Sequence, residues 1–201
     1  MKRRTNARRL VKVLLAVDLV IVCAALALWF VLRDDPATNA VNDGLRGSKP
    51  PAGQSWPMLA DVDGIAPAFP SRATVDGHAT MLVATCASCR SGDVIGGFLG
   101  RLGDGLPRDA RVVVLTWNGD QGAWAERWKV GDVPNLELHE ARTPAAIAAV
   151  RRELGIGPVD GAEESGIAFL HDARGRWRST FFVGQLDRED VGHDLERLRG
   201  D

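Results

Sequence analysis

From residue 80 to residue 198, short apolar or alternating runs are interleaved with stretches of helical period, and few folds accommodate that order. Residues 80–85 (TMLVAT), 111–117 (RVVVLTW), 135–139 (NLELH), 167–170 (IAFL) and 176–183 (RWRSTFFV) read as strands. Between the first two, Ile95, Phe98, Leu99 and Leu102 fall at i, i+3, i+4 and i+7, which predicts a helix running on from Cys86. Gly92, Gly96, Gly97 and Gly100 lower its intrinsic propensity and suit close packing on a sheet. Residues 120–129 place Trp124 and Trp128 four apart on a second helix. Thr143-Pro144 reads as an N-cap with proline in the first turn of a third, ending near Leu154. Residues 187–198 close the chain as a helix. The order β-α-β-α-β-α-β-β-α implies parallel strands joined by right-handed crossovers. A turn at residues 172–175 adds an antiparallel strand. The expected class is α/β, a mixed sheet with helices on both faces.

The domain occupies only part of the 201 residues. Residues 13–32 (VLLAVDLVIVCAALALWFVL) form an apolar run broken only by Asp18. As a helix it spans about 30 Å, the hydrocarbon thickness of a bilayer. Lys2, Arg3, Arg4, Arg8, Arg9 and Lys12 precede it with no acid among them. The positive-inside rule then predicts residues 1–12 as a basic cytoplasmic tail and everything after 32 as extracytoplasmic. Ala25-Leu26-Ala27 also has the small-x-small pattern of a cleavable signal peptide, although cleavage there would leave an apolar new terminus. Residues 33–57, rich in Asp, Asn, Gly, Ser and Pro, read as a flexible tether. Residues 58–201 are the folded domain, long enough for one core. The formal net charge of −1 divides into +6 in residues 1–12 and −7 in the rest of the chain, Asp18 of the span included, so no basic surplus offers the domain to nucleic acid.

Chemistry concentrates at Cys86-Ala87-Ser88-Cys89, a C-x-x-C at the junction of the first of these strands and the next helix. Unpaired N–H groups and the dipole at a helix N-terminus stabilise a thiolate. That lowers a thiol pKa and raises its share of nucleophile. The sequence therefore assigns Cys86 as the attacking thiol and Cys89 as the thiol that resolves a mixed disulfide, with no bound cofactor and no metal. Two other readings compete. Half of a zinc site needs two more ligands, and His78, His139, His171 and His193 are scattered. A structural disulfide closing so short a loop removes little chain entropy. Cys23 belongs to the apolar run.

The strand–CxxC–helix unit, the following βα units and the closing hairpin and helix resemble the thioredoxin-like fold. With the N-terminal anchor they resemble the TlpA-type redoxins, bacterial membrane-tethered thiol-disulfide oxidoreductases. The likeness lies in residues 77–89 (GHATMLVATCASC), 154–156 (LGI), 169–175 (FLHDARG), and 183–186 (VGQL) followed by 188–190 (RED). It covers about residues 65–198. It implies Cys86 and Cys89 as the redox pair, protein thiols and disulfides of the cell envelope as partners, and a single-pass protein of a bacterial cell membrane. Thr85 and Ser88 replace the family's Trp and Pro around the cysteines, and residues 165–168 (SGIA) lack its cis-proline. Those departures favour a non-catalytic thioredoxin-like adaptor as one rival. Glu163 and Glu164 in the facing loop read as solvated loop acids, with substitution for the buried acid that residues 79–85 lack as the alternative. A second rival is similar to the Sco copper chaperones, since two thiolates suit Cu(I). That family spaces its cysteines by three residues and adds a loop histidine, whereas residues 158–166 contain none.

Overall fold

The run of valines lies at the heart of a six-stranded sheet. The structure is a computed structural model, and it describes Val22 and residues 45–48, 55–156 and 166–199. The sheet belongs to the second of two compact units, Gly44–Asp201. The expected span 13–32, most of the tether, and Glu163 and Glu164 lie outside the described residues. Among the described residues no helix is long and apolar enough to cross a membrane.

In chain order the elements are β1 (Ile65–Ala66), α1 (Arg72–Val75), β2 (Thr80–Cys86), α2 (Arg90–Leu102), β3 (Arg111–Trp117), α3 (Gln121–Arg127), β4 (Leu136–Ala141), α4 (Pro144–Glu153), β5 (Ile167–His171), β6 (Trp177–Phe182) and α5 (Arg188–Leu198). The sheet order is β1-β4-β3-β2-β5-β6. Strands β2, β3 and β4 are parallel, in register from Thr80↔Arg111 to Cys86↔Trp117 and from Val112↔Leu136 to Thr116↔Glu140. All seven residues of β2 are buried, as a central strand covered on both faces requires.

Two features depart from the sequence reading. Strand β5 runs antiparallel to β2, pairing Thr80↔His171 and Ala84↔Ile167, so the hairpin contributes its first strand in reverse and not only its second. In sequence length the connection from α4 to β5 exceeds the usual αβ loop of about 2–6 residues, which permits the reversal. Elements β1 and α1 precede the first expected strand. At two and four residues they are too short to carry a period.

Alternation along the strands sorts the core into two layers. Leu82, Ala84 and Cys86 face the same side as Val113, Leu115, Trp117, Ile167 and Phe169, where α4 supplies Ala146, Ala149 and Val150 and the segment before β2 supplies Trp56, Leu59 and Phe69. Met81, Val83, Val112, Val114 and Leu170 face the other way and are equally buried. There α2 contributes Ile95, Phe98, Leu99 and Leu102, and α5, which touches α2, contributes Val191, Leu195 and Leu198. Each fully buried Val, Leu, Ile, Phe or Met side chain among them stabilises the fold by about 1.5–3 kcal/mol relative to exposure.

The caps follow the residue types. Thr143 Oγ1 accepts from Ala146 N at 3.1 Å, with Pro144 opening α4 as expected. Asp187 caps α5 by accepting from Glu189 N and Asp190 N. Residues 45–48, inside the stretch expected as tether, lie along the β6 edge. Ser48 and Thr180 exchange backbone bonds of 2.8 and 2.9 Å. Arg46 N and Gly47 N donate to the buried Asp194 carboxylate at 2.8 and 3.0 Å.

Candidate active site

Strand β2 ends on Cys86, Ala87 and Ser88 turn, and Cys89 is the N-cap of α2. A disulfide joins Cys86 to Cys89 across Cα atoms 5.3 Å apart. The turn is held from the next strand. Ala87 N donates to Trp117 O at 2.8 Å and Ser88 N to Asn118 O at 3.0 Å, while Cys89 N donates to Cys86 O at 3.3 Å. Asn118 adopts φ 51°, in the left-handed region that Asn tolerates. Gly119 follows at φ 151°, and a Cβ there would meet Ser88 N at 3.0 Å and Ala87 Cβ at 3.1 Å.

The α2 glycines let the helix approach its neighbours, though not chiefly across the sheet as expected. A Cβ on Gly92 would meet Cys86 O at 2.2 Å. One on Gly96 would strike the Trp128 indole, and one on Gly100 would meet Trp128 O at 2.2 Å. Trp124 Nε1 also donates to Gly92 O at 2.9 Å, which ties α3 to the first turn of α2.

In the closed pair the two cysteines differ in burial. Cys86 is 0% exposed and lies in the core layer beside α4. Cys89 is only half-buried and Ser88 is exposed. The Sγ of Cys86 lies 3.7 Å from Ser88 Oγ and 4.0 Å from Asn118 O. The physical reason is register. The strand runs on to Cys86, so period-2 alternation turns it inward with Leu82 and Ala84, and the helix begins at Arg90.

The histidines do not converge on the cysteines. His171 pairs with Thr80, at the far end of β2. Burial lowers its pKa to about 3, with Asp172 opposing the shift, and its ring meets Trp56 edge-on at 4.9 Å. His139 is buried against Phe69, and its Nδ1 bonds Pro67 O at 3.0 Å. His78 precedes β2 and lines a cavity of about 470 Å³ with Arg108, Asp109, Arg111 and Glu137, at the starts of β3 and β4. His193 lies on α5. Among the described residues no group of three or more His, Cys, Asp or Glu could hold a metal ion. Of the tryptophans, Trp117 and Trp124 are core residues as expected, and Trp177 is half-buried against Phe169. Sequence reasoning missed Asn118 and Gly119; the Asn-Gly dipeptide directly after a strand was the signal.

No family model matches the chain, and no curated protein matches it. Solved structures do. Apo Sco1 from Thermus thermophilus is 16% identical with a TM-score of 0.54, covering 77% of this chain and 96% of that one. Arabidopsis thaliana ScoI with copper bound is 12% identical with a TM-score of 0.54, over 74% and 99%. A thiol:disulfide interchange protein of the thioredoxin family from Chlorobium tepidum is 15% identical with a TM-score of 0.50, over 75% and 100%. The fold is thioredoxin-like.

Proposed function

We propose that this chain is a membrane-anchored, extracytoplasmic thiol-disulfide oxidoreductase of the TlpA type that cycles Cys86 and Cys89 between dithiol and disulfide. The observation that carries the reading is the closed Cys86–Cys89 pair at the strand-to-helix junction of a thioredoxin-like sheet. The domain presents one cysteine at a helix N-terminus, where the dipole favours thiolate, and holds the other within bonding reach. The turn is fixed by backbone bonds to Trp117 and Asn118, so opening and closing the pair requires little rearrangement. The partners are protein thiols and disulfides of the cell envelope. The anchor is residues 13–32, and the direction of transfer is reduction of the partner.

Insulin reduction by the purified full chain, with dithiothreitol as electron source, tests the activity. Turnover, with a reduction potential nearer to about −270 mV than to about −120 mV, is the expected result. A potential below about −300 mV with no turnover would mark a structural disulfide and overturn the reading. A thiol pKa near the ordinary value of about 8.5 at both cysteines, again without turnover, would mark an adaptor. Alkaline extraction of membranes and protease treatment of spheroplasts test the placement. The chain should resist extraction, and its domain should be cut from outside.

A further inference from the structure

We infer that the cavity at the end of the sheet remote from the cysteines binds a small organic oxyanion, a phosphate ester or a carboxylate. The inference goes beyond the oxidoreductase reading and does not depend on it. The cavity opens where β3 and β4 begin, and the length of β2 separates that end from Cys86 by about 20 Å. Its volume of about 470 Å³ falls in the range of small-molecule sites, about 300–1,000 Å³. Charge carries the argument. After residue 12 the chain has a formal charge of −7, yet this cavity holds a surplus of cations. Both acids on its wall are already matched. Asp109 Oδ2 accepts from Arg199 Nε at 2.8 Å. Glu137 Oε1 accepts from Arg111, and Glu137 Oε2 lies 3.7 Å from His139 Nε2. Arg108 is exposed, and among the described residues its guanidinium has no carboxylate partner.

Donors also outnumber acceptors on this wall. Arg108 brings five N–H groups that the described residues do not use. Arg111 gives one to Thr74 O and one to Glu137, and keeps three. His78 Nδ1 donates to Asp109 O at 3.2 Å, which leaves Nε2 to accept from a protonated ligand oxygen or to donate as imidazolium. The wall is set before a ligand arrives. Asn135 Nδ2 donates to Arg108 O at 2.9 Å and to Ala110 O at 3.2 Å, and Thr74 O and Glu137 hold the Arg111 guanidinium. A guanidinium fork matches two oxygens of one carboxylate or phosphate. The anionic head therefore sits on Arg108 and Arg111, and it meets no unpaired carboxylate. A bare oxyanion underfills the volume, so the ligand carries a carbon body, for which Leu136 is the apolar liner.

Isothermal titration of the full chain in detergent tests the site, with glycerol phosphate and succinate as probes and chloride holding the ionic strength constant. Two guanidinium contacts at an open site correspond to a Kd of about 1 mM, and at least one probe should bind saturably near that value. Tighter binding of glycerol phosphate assigns a phosphate ester, and tighter binding of succinate a carboxylate. Arg108→Ala should weaken binding by at least about tenfold. The exposed Arg108 side chain makes no bond among the described residues, so the variant keeps the fold, which near-UV circular dichroism checks. Arg127→Ala removes the same charge from α3, where Arg127 pairs with Asp93 in the first turn of α2, and should leave the Kd within about twofold. No saturable heat with either probe, a site untouched by Arg108→Ala, or equal weakening in the two variants would overturn the proposal. Each of those results leaves the oxidoreductase reading standing, because insulin reduction by Arg108→Ala is expected to match wild type whether or not the cavity is a site.

Discussion

Helix α2 carries four glycines, and the structure assigns their substitutions opposite signs. Gly92→Ala places a Cβ 2.2 Å from the Cys86 carbonyl oxygen, which is backbone and gives only if the β2–α2 turn moves by about 1 Å. Overpacking of this kind costs about 1–3 kcal/mol, and the upper end applies where the obstacle is main chain. Replacing a helical glycine by alanine returns about 0.8–1 kcal/mol. The net expectation is a loss of about 2 kcal/mol, or a fall in Tm of about 6 °C for a domain of this size. Gly97→Ala, five residues along the same helix, meets only the mobile end of Arg101 at 3.3 Å and the Trp128 ring at 3.4 Å. There the propensity gain survives, and Tm should rise by up to about 3 °C. Thermal unfolding of the oxidised full chain, followed by near-UV circular dichroism of its tryptophans, reads both. Because Cys86 O accepts from Cys89 N, Gly92→Ala should also shift the equilibrium of the disulfide with glutathione, and Gly97→Ala should not. If the two alanines give the same sign, the close approach of α2 to the end of β2 is wrong.

Other consequences are as direct. Asn118 acts through its backbone, by φ 51° and its carbonyl, so Asn118→Gly should keep insulin reduction within about twofold of wild type, a few tenths of a kcal/mol. A tenfold loss would place its side chain in the mechanism. Asp194 is fully buried and accepts from Arg46 N, Gly47 N and Ser179 Oγ. Asp194→Ala should cost about 3 kcal/mol and expose residues 45–48 to limited proteolysis; an unchanged digestion pattern would contradict the clamp. His171 is held neutral by burial, with its pKa lowered from 6.5 to about 3. The unfolded chain binds a proton there that the folded chain refuses, so this contribution is whole above pH 6.5 and is lost as pH falls towards 3. The slope is at most about 1.4 kcal/mol per pH unit. Urea unfolding across that window should show the slope in wild type and its loss in His171→Phe.

What the chain discloses before folding depends on how local each determinant is. The central strands were legible because an uninterrupted apolar run such as residues 112–115 has few uses other than a strand covered on both faces. The start of α4 was legible because Thr143 and Pro144 carry their cap chemistry within four residues. The direction of β5 was not, since pairing with β2 is settled by a strand some eighty residues earlier and by the path of a connection that carries no period. The placement of the cysteines fell between these cases. A C-x-x-C was correctly placed at a strand–helix junction, but the helix was started at its first cysteine, where the strand in fact ends. That offset turns the Cys86 side chain into the core layer. The information was present, because Leu82, Ala84 and Cys86 keep the two-residue alternation of a buried face, and a side chain in that series points into the core. The rule that follows is physical: in a strand–CxxC–helix unit, the residue at which the strand ends sets, through the strand's own two-residue period, the face that the first cysteine takes.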